Sequence, residues 1–186
     1  MSTKLTATDW IWRDGEFVRW EDANVHVLSH SMQYGSSAFE GVRCYDTPRG
    51  PSIFRLDAHL QRLLTSCRIY RMDVTYSIDD LTVACCQLVE KNGLEACYLR
   101  PMVLRGYGAA SMVPFASPIH VYLPCWPWGA YLGDDAVTKG VRMKISSWAR
   151  HDHNTMPPSS KTTGNYVNSS LAKVEALRRA TTRRSC

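Results

Sequence analysis

The chain has 186 residues, enough for one compact domain or for a small domain and part of a second. Apolar residues make up 45% of the sequence and charged residues 21%, which are ordinary values for a globular protein. No apolar run approaches the roughly 18 residues of a membrane-spanning helix, and the N-terminus lacks the apolar stretch of a signal peptide. We therefore expect a cytoplasmic protein with no membrane partner.

The formal net charge of +5 raises the question of an anionic partner. Four arginines in the last nine residues account for most of this excess, so the basicity is mainly a property of the tail. A small basic nucleic-acid-binding module would show salt-sensitive binding that persists after deletion of the tail from Ala180. Because the charge is not organised into a patch, we expect no nucleic-acid partner.

Seven cysteines are present, an odd number, and none belongs to a Cys-x-x-Cys motif. Most lie in apolar segments, where cysteine behaves as a small hydrophobic residue, so we expect reduced thiols and no disulfide framework. His151 and His153 flank Asp152, but these side chains are too few to complete a metal site. We expect no bound metal.

The first predicted element in chain order is a β-hairpin over residues 10–27, in which aromatic and aliphatic residues flank an Asp-Gly turn at Asp14. Apolar residues at three- and four-residue steps then predict a helix over 57–72. A second helix is expected to begin at Ser77, whose side chain can cap free N–H groups, and to end at Asn92.

The remaining elements are predicted to be strands at about 96–105, 119–124 and 141–148, followed by a helix at about 166–179. A hairpin, helices and then more strands indicate an α+β fold rather than strict βαβ alternation. Residues 124–129 break both periodicities, which predicts a boundary between a small N-terminal α+β domain, 1–125, and a second unit, 126–186. The second unit has too few elements to bury a core alone, so we expect it to be the truncated start of a larger domain.

Six segments, in order along the chain, resemble the class IV (fold type IV) aminotransferases, and specifically their branched-chain members. The segments are 14–23, 30–45, 54–63, 98–101, 127–133 and 146–166. The Phe-Glu-Gly-Val-Arg motif at Phe39 and the Tyr-Leu-Arg-Pro motif at Tyr98 favour the branched-chain group. The alternatives within the family are a D-amino acid aminotransferase and an aminodeoxychorismate lyase, which share the fold and the lysine, and a substrate panel would separate them.

The resemblance implies the two-domain, D-amino acid aminotransferase-like α+β fold, with the N-terminal domain complete and the second domain truncated. It implies reversible amino transfer from leucine, isoleucine or valine to 2-oxoglutarate on pyridoxal 5'-phosphate, in branched-chain amino acid biosynthesis or degradation. It also implies a homodimer or higher homo-oligomer, with the cofactor between the two domains.

Three residues match the cofactor site of the family. Lys161 matches the catalytic lysine that forms a Schiff base with pyridoxal phosphate. Arg62 matches the arginine that holds the phosphate, where a planar guanidinium can bind two oxygens at once. Tyr166 matches the tyrosine that hydrogen-bonds the ring hydroxyl. Taken singly, each has a plainer interpretation: a surface lysine, a surface helix arginine and a core tyrosine.

Seven further residues match the substrate site of the family. Five fall where the family lines its side-chain pocket: Phe39, Gly41, Tyr98, Met112 and Tyr131. Arg100 matches the arginine that binds the distal carboxylate of glutamate or 2-oxoglutarate, and Tyr34 is expected to reach this site from a neighbouring subunit. One pocket must accept both an aliphatic chain and a carboxylate, and apolar walls with an arginine at the edge meet that requirement.

The family pattern continues beyond this sequence. The glutamate that pairs with the pyridine nitrogen and the later phosphate-binding loops have no counterpart here. Residues 180–186 also depart from the pattern, and our hypothesis is a one-base frameshift at about codon 180. The alternative to an active transaminase is therefore an inactive or frameshifted fragment with weak or no cofactor binding.

Overall fold

The computed structural model describes residues 5–108, 111–128, 136–140 and 143–182. The strands in these ranges are β1 Trp10–Arg13, β2 Glu16–Arg19, β3 Ser37–Phe39, β4 Val42–Tyr45, β5 Ser52–Ile53, β6 Cys97–Leu99, β7 Met102–Arg105, β8 Ile119–Leu123 and β9 Cys125–Trp126. The α-helices are α1 His30–Tyr34, α2 Leu56–Ile69, α3 Ile78–Lys91, α4 Ala136–Lys139 and α5 Asn165–Thr182. None of these helices is long and apolar enough to cross a membrane.

Two antiparallel sheets carry the described fold. The first has the strand order β2-β1-β8-β7-β3 and the second has the order β5-β4-β6-β9. One core cluster joins buried side chains of both sheets to the apolar faces of α2 and α3, which pack against each other. The combination of sheets and helices is the predicted α+β class.

The predicted hairpin is present but ends earlier than expected. Asp14 and Gly15 have φ values of 48° and 99°, as a tight turn between β1 and β2 requires. The Asp14 carboxylate also accepts a hydrogen bond from the Val121 N–H at 2.7 Å, which ties the turn to β8. The hairpin ends at Arg19, because residues 20–22 form a 3-10 helix instead of continuing the strand.

All three predicted helices are confirmed, as α2, α3 and α5. α3 begins with a capping box in which the Ser77 hydroxyl accepts from the Asp80 N–H and the Asp80 carboxylate accepts from the Ser77 N–H. α2 ends at Ile69, three residues before the predicted end. The guanidinium of the buried Arg105 donates to the carbonyl oxygens of Tyr70 and Arg71, just beyond the end of that helix, where a cation is favoured.

The predicted strand at 96–105 is instead two strands, β6 and β7, that belong to different sheets. The change of sheet falls at Arg100 and Pro101, because proline has no N–H with which to continue the ladder. The Arg100 N–H donates to the Pro124 carbonyl oxygen at 2.9 Å, where the chain likewise passes from β8 to β9. Arg100 therefore lies at the crossover between the two sheets.

The prediction of a strand at 141–148 is wrong over the described residues, 143–148, which do not form a strand. Met143 and Ile145 are almost fully exposed, and no described strand lies alongside them to complete a backbone ladder. Glu175 of α5 holds this segment through the Lys144 ammonium and the Ser146 hydroxyl. The pairing with Lys144 is the main cause that lowers the pKa of Glu175 to about 2.

Cysteine packing agrees with the expected reduced thiols. The six described cysteines are free, and all except Cys86 are buried. Burial raises the pKa of Cys67 and Cys85 to about 12, so both thiols stay protonated and behave as apolar core groups.

Candidate active site

The loop that carries Lys161 lies along the free edge of β3. The Phe39 N–H donates to the Lys161 carbonyl oxygen at 3.0 Å, and the Thr163 N–H donates to the Ser37 carbonyl oxygen at 2.8 Å. Between them, Thr162 forms an antiparallel bridge with Ala38. The loop therefore extends the five-stranded sheet by a short edge segment, which fixes the backbone of Lys161.

Two further contacts hold the same loop. The buried Ser66 hydroxyl of α2 accepts the Lys161 backbone N–H at 2.9 Å. Gly164 crosses Gly35 so closely that a Cβ added to Gly35 would lie 2.9 Å from the Gly164 Cα. Gly35 also has φ +65°, a left-handed conformation that other residues rarely adopt. Contacts with β3, with α2 and between Gly35 and Gly164 thus position Lys161.

The Lys161 amine lies in an aromatic setting. Its Nζ is 2.6 Å from the Tyr166 phenolic oxygen and 4.2 Å from the centre of the Phe39 ring. The Phe39 and Tyr166 rings themselves lie 5.0 Å apart, so the amine sits beside both. No carboxylate of the described residues forms an ion pair with Lys161. Among the described residues, the amine therefore lies against a phenol and an aromatic ring rather than against a carboxylate.

Arg62 is held by a carboxylate that the sequence analysis did not single out. Its Nε and Nη2 donate to the two carboxylate oxygens of Glu40 at 2.6 and 2.7 Å. Nδ1 of His59 lies 2.9 Å from the same carboxylate. Burial alone would raise the pKa of Glu40, but the hydrogen bonds from Arg62 and His59 outweigh it and lower that pKa. The pairing in turn raises the pKa of Arg62.

The geometry of this pair decides what Arg62 can still bind. Glu40 occupies the side of the guanidinium formed by Nε and Nη2. The opposite end, formed by Nη1 and Nη2, keeps N–H groups for another ligand. The Arg62 side chain is 52% exposed although that of Glu40 is 0% exposed. One half-buried arginine thus offers a fixed fork that fits two oxygens of a phosphate.

Arg100 forms the second cationic position. Its guanidinium carbon lies between 5.3 and 5.5 Å from the centres of three rings, those of Phe39, Tyr98 and Trp126. Its Nη2 donates to the Tyr98 hydroxyl at 3.4 Å, whereas its buried Nε has no hydrogen-bond partner among the described residues. A guanidinium in an aromatic setting with few hydrogen bonds suits an anionic ligand such as a carboxylate.

Aromatic side chains surround Gly41 and Tyr98. A Cβ added to Gly41 would lie 1.9 Å from the Tyr98 hydroxyl oxygen, so any larger residue would displace the tyrosine. The Tyr98 ring packs against Trp126, with ring centres 5.1 Å apart, and against Trp128 at 4.5 Å. This wall is apolar and also contacts Arg100, as a pocket for both an aliphatic chain and a carboxylate would require.

The structure brings together seven of the ten predicted site residues. Lys161, Tyr166, Phe39, Arg100, Tyr98 and Gly41 form one connected group, and Arg62 is joined to it through Glu40, which lies between Phe39 and Gly41. Tyr34 is 47% exposed, and its ring centre lies 4.6 Å from that of His30, whose Nε2 lies 3.4 Å from the Met112 carbonyl oxygen. The Met112 side chain is 80% exposed. Tyr131 lies outside the described residues.

Three contributors were missed by the sequence analysis: Glu40, Ser66 and Trp126. Glu40 lies between two predicted pocket residues, and that position was the available signal. Ser66 follows Arg62 by one helical turn, so it faces the same side of α2, but nothing in the sequence shows that it meets Lys161. Trp126 was interpreted only as part of the predicted boundary.

The comparison with protein families gives one clear match. The family described as "Amino-transferase class IV" matches residues 37–182, which is most of the chain. The branched-chain-amino-acid aminotransferase of Salmonella typhimurium strain LT2 is 47% identical over 179 residues, and that of Escherichia coli strain K12 is 46% identical. Each match covers 96% of this chain but only 57% of the relative, so the chain spans a little over half their length.

Solved structures show the same relationship. The structure of the Escherichia coli branched-chain amino acid aminotransferase superposes with a TM-score of 0.86 at 44% identity, covering 90% of this chain and 57% of that one. A second branched-chain amino acid aminotransferase, solved with pyridoxamine 5'-phosphate, superposes with a TM-score of 0.89 at 44% identity, covering 95% and 58%. That second protein has also been solved with N-(5'-phosphopyridoxyl)-L-glutamate.

Proposed function

Because this chain belongs to the class IV aminotransferases, we propose that it provides the lysine-bearing part of a branched-chain-amino-acid aminotransferase. The single observation that carries the proposal is the position of the Lys161 amine, 2.6 Å from the Tyr166 hydroxyl and over the Phe39 ring. The names of the relatives at 46 and 47% identity support the substrate class. Within this proposal residues 1–125 are a small domain and residues 126–186 begin the larger one.

The donor set of the site fits pyridoxal 5'-phosphate. Lys161 would hold the cofactor covalently through its amine, the free end of the Arg62 guanidinium would bind the phosphate, and Tyr166 would hydrogen-bond the ring hydroxyl. When bound, the cofactor supplies an electron sink that makes the α-hydrogen of an amino acid acidic. A solved relative with pyridoxamine 5'-phosphate supports the same cofactor class here.

Lys161 would then act as the acid and base of the reaction. With its own amine free, Lys161 would use Nζ to move a proton between the substrate α-carbon and the cofactor C4′. Tyr166 orients that amine through the 2.6 Å contact, and Phe39 excludes water from one side of it. The backbone contacts from β3 and Ser66 keep the lysine in place through both half-reactions.

The aromatic wall and Arg100 would bind the substrate side chain. Phe39 and Tyr98 suit an aliphatic chain, and the Arg100 guanidinium beside them suits the distal carboxylate of glutamate or 2-oxoglutarate. Such apolar walls discriminate between substrates that differ by one methylene group by about 1–3 kcal/mol. Gly41 leaves the space beside the Tyr98 hydroxyl that a side chain would otherwise fill.

Tyr34 and Met112 would contribute to the site of a neighbouring copy in a homodimer or larger homo-oligomer. Both side chains are exposed, as are the nearby Met32 and Val113 and the more distant Phe115. Large apolar side chains left exposed in this way often belong to an interface. Burial of that surface against a second copy would bring Tyr34 to the site of that copy.

The test is amino transfer by the longest product of the gene, resequenced past codon 186. We expect that product to transfer the amino group of leucine, isoleucine or valine to 2-oxoglutarate, with no turnover of D-alanine. Lys161→Ala should lower the rate by more than about 1000-fold, because it removes the acid–base group, whereas the exposed Lys173→Ala serves as the matched control and should not. A product that ends at Cys186 should give no measurable turnover, since it spans only 57% of the relatives. Preference for D-alanine, or full activity of Lys161→Ala, would contradict the proposal.

A further inference from the structure

Glu40 is a buried carboxylate at the junction of the two halves of the site. Its side chain is 0% exposed, and its neighbours in sequence are Phe39, beside the Lys161 amine, and Gly41, beside Tyr98. The Glu40 N–H donates to the Pro101 carbonyl oxygen at 2.8 Å, which fixes its backbone next to the crossover between the sheets. Neither substrate nor cofactor chemistry requires a carboxylate here, so its role needs another explanation.

The contacts of Glu40 provide that explanation. A buried carboxylate is strongly disfavoured unless it is paired and hydrogen-bonded. Glu40 receives two hydrogen bonds from Arg62, one from His59 and a longer one, 3.4 Å, from the Gly41 N–H. The two oxygens of a single carboxylate match the spacing of Nε and Nη2, so this pairing fixes the plane of the guanidinium. A long arginine side chain without it would lose considerable rotamer entropy on binding a ligand.

We propose that Glu40 is a positioning residue for the cofactor phosphate, because it occupies one side of the Arg62 guanidinium and aims the remaining fork at the phosphate. The inference rests on the proposed function, since it assumes a phosphorylated cofactor on Lys161. His59 is the second support, because its Nδ1 lies against the carboxylate oxygen that also accepts from Nη2 of Arg62. Glu40 itself touches neither phosphate nor substrate in this account.

A simple charge argument makes the opposite prediction. Glu40 neutralises Arg62, so its removal would strengthen the attraction between the guanidinium and a phosphate if charge alone mattered. Positioning predicts weaker phosphate binding on removal of the carboxylate. The sign of the change in affinity therefore separates the two accounts.

The experiment is a titration of the full 186-residue chain with pyridoxal phosphate and, separately, with pyridoxal, followed by the visible absorption band. Glu40→Gln keeps the size of the side chain and removes its charge. We expect the Kd for pyridoxal phosphate to rise about tenfold or more, the effect of losing one hydrogen bond between charged groups. The Kd for pyridoxal, which has no phosphate, should stay the same. A lower or unchanged Kd for pyridoxal phosphate, or an equal rise for both ligands, would overturn the inference.

Two further variants distinguish positioning of Arg62 from a general effect of Glu40 on the structure. In an Arg62→Ala background, Glu40→Gln should have no additional effect on pyridoxal phosphate binding, because Glu40 acts through Arg62; an additive effect would contradict this. Glu40→Asp keeps the charge but is one methylene shorter, so its carboxylate cannot reach Arg62 from the same backbone position, and it should also weaken binding of pyridoxal phosphate. Wild-type affinity in Glu40→Asp would contradict positioning even if Glu40→Gln did not fold. Absence of any band in the wild-type chain would instead overturn the cofactor proposal, and the role of Glu40 with it.

Discussion

At the scale of single residues, Glu40 should make the stability of the fold depend on pH. Its folded-state pKa is lowered from the ordinary value of 4.5, so its ionised form stabilises the fold above pH 4.5. That stabilisation is lost as pH falls below 4.5 through the folded-state pKa. At pH 7 we expect Glu40→Gln to lower the free energy of unfolding by about 2 kcal/mol, the typical worth of hydrogen bonds to a charged group. The difference from wild type should shrink at acidic pH.

Denaturant unfolding at a series of pH values checks this prediction. Glu95→Gln is a suitable control because Glu95 is an exposed carboxylate in the loop after α3, where substitutions usually have little effect. If the difference between wild type and Glu40→Gln were the same at pH 7 and at pH 3, the ionised carboxylate would not be the source of the stabilisation.

The individual site residues differ in how far the sequence revealed them. Lys161, Tyr166 and Phe39 fall in recognisable motifs, and the fold places their side chains together. The pairing of Glu40 with Arg62 could not be predicted, because it joins the connection after β3 to α2 across 22 positions of the sequence. Only the packing of that helix on the sheet creates the contact.

At the scale of elements, α2 should control how firmly the Lys161 loop is held. The Ser66 hydroxyl donates to the Arg62 carbonyl oxygen at 3.0 Å and accepts from the Lys161 N–H at 2.9 Å. Ser66→Ala should lower the free energy of unfolding by about 1–3 kcal/mol, because it leaves the Lys161 N–H without its hydrogen-bond partner. It should also speed hydrogen exchange at the Lys161 amide, which the hydroxyl otherwise protects.

Thr65→Ala is a matched control for this prediction. The Thr65 hydroxyl makes the same kind of bond within the helix, to the Gln61 carbonyl oxygen at 2.8 Å, but it is more exposed. Its other hydrogen bond among the described residues comes from Arg68 of the same helix. Exchange at Lys161 should therefore be unchanged in Thr65→Ala. Equal exchange in Ser66→Ala and wild type would show that the β3 contacts alone hold the loop.

Sequence periodicity predicted some of these secondary-structure elements and missed others. α3 was predictable because its capping residues and apolar face lie within one continuous segment. The very short strands between residues 37 and 53 were missed, since β3 is buried along its whole length and shows no alternation of apolar and polar residues. Residues 143–148 do alternate, yet a strand also needs a neighbouring strand, which periodicity cannot supply.

At the scale of the whole molecule, the exposed apolar surface is uneven. On α5, Val167, Leu171 and Val174 recur at three- and four-residue steps with their side chains exposed, a pattern that normally faces a core. The two sheets and their helices enclose a well-packed cluster, whereas this stripe has no counterpart among the described residues. Such a stripe is what the remaining length of the relatives would cover under the proposed function.

The measurement that tests the central claim most directly is the site at which the cofactor attaches. The folded chain would be incubated with pyridoxal phosphate, reduced with borohydride, digested and mapped by mass spectrometry. We predict that the cofactor mass is found on Lys161 in preference to the exposed Lys139 and Lys173, and that the preference disappears when the chain is labelled in denaturant. Equal labelling of these lysines in the folded chain would contradict the claim that Lys161 is the cofactor-binding residue.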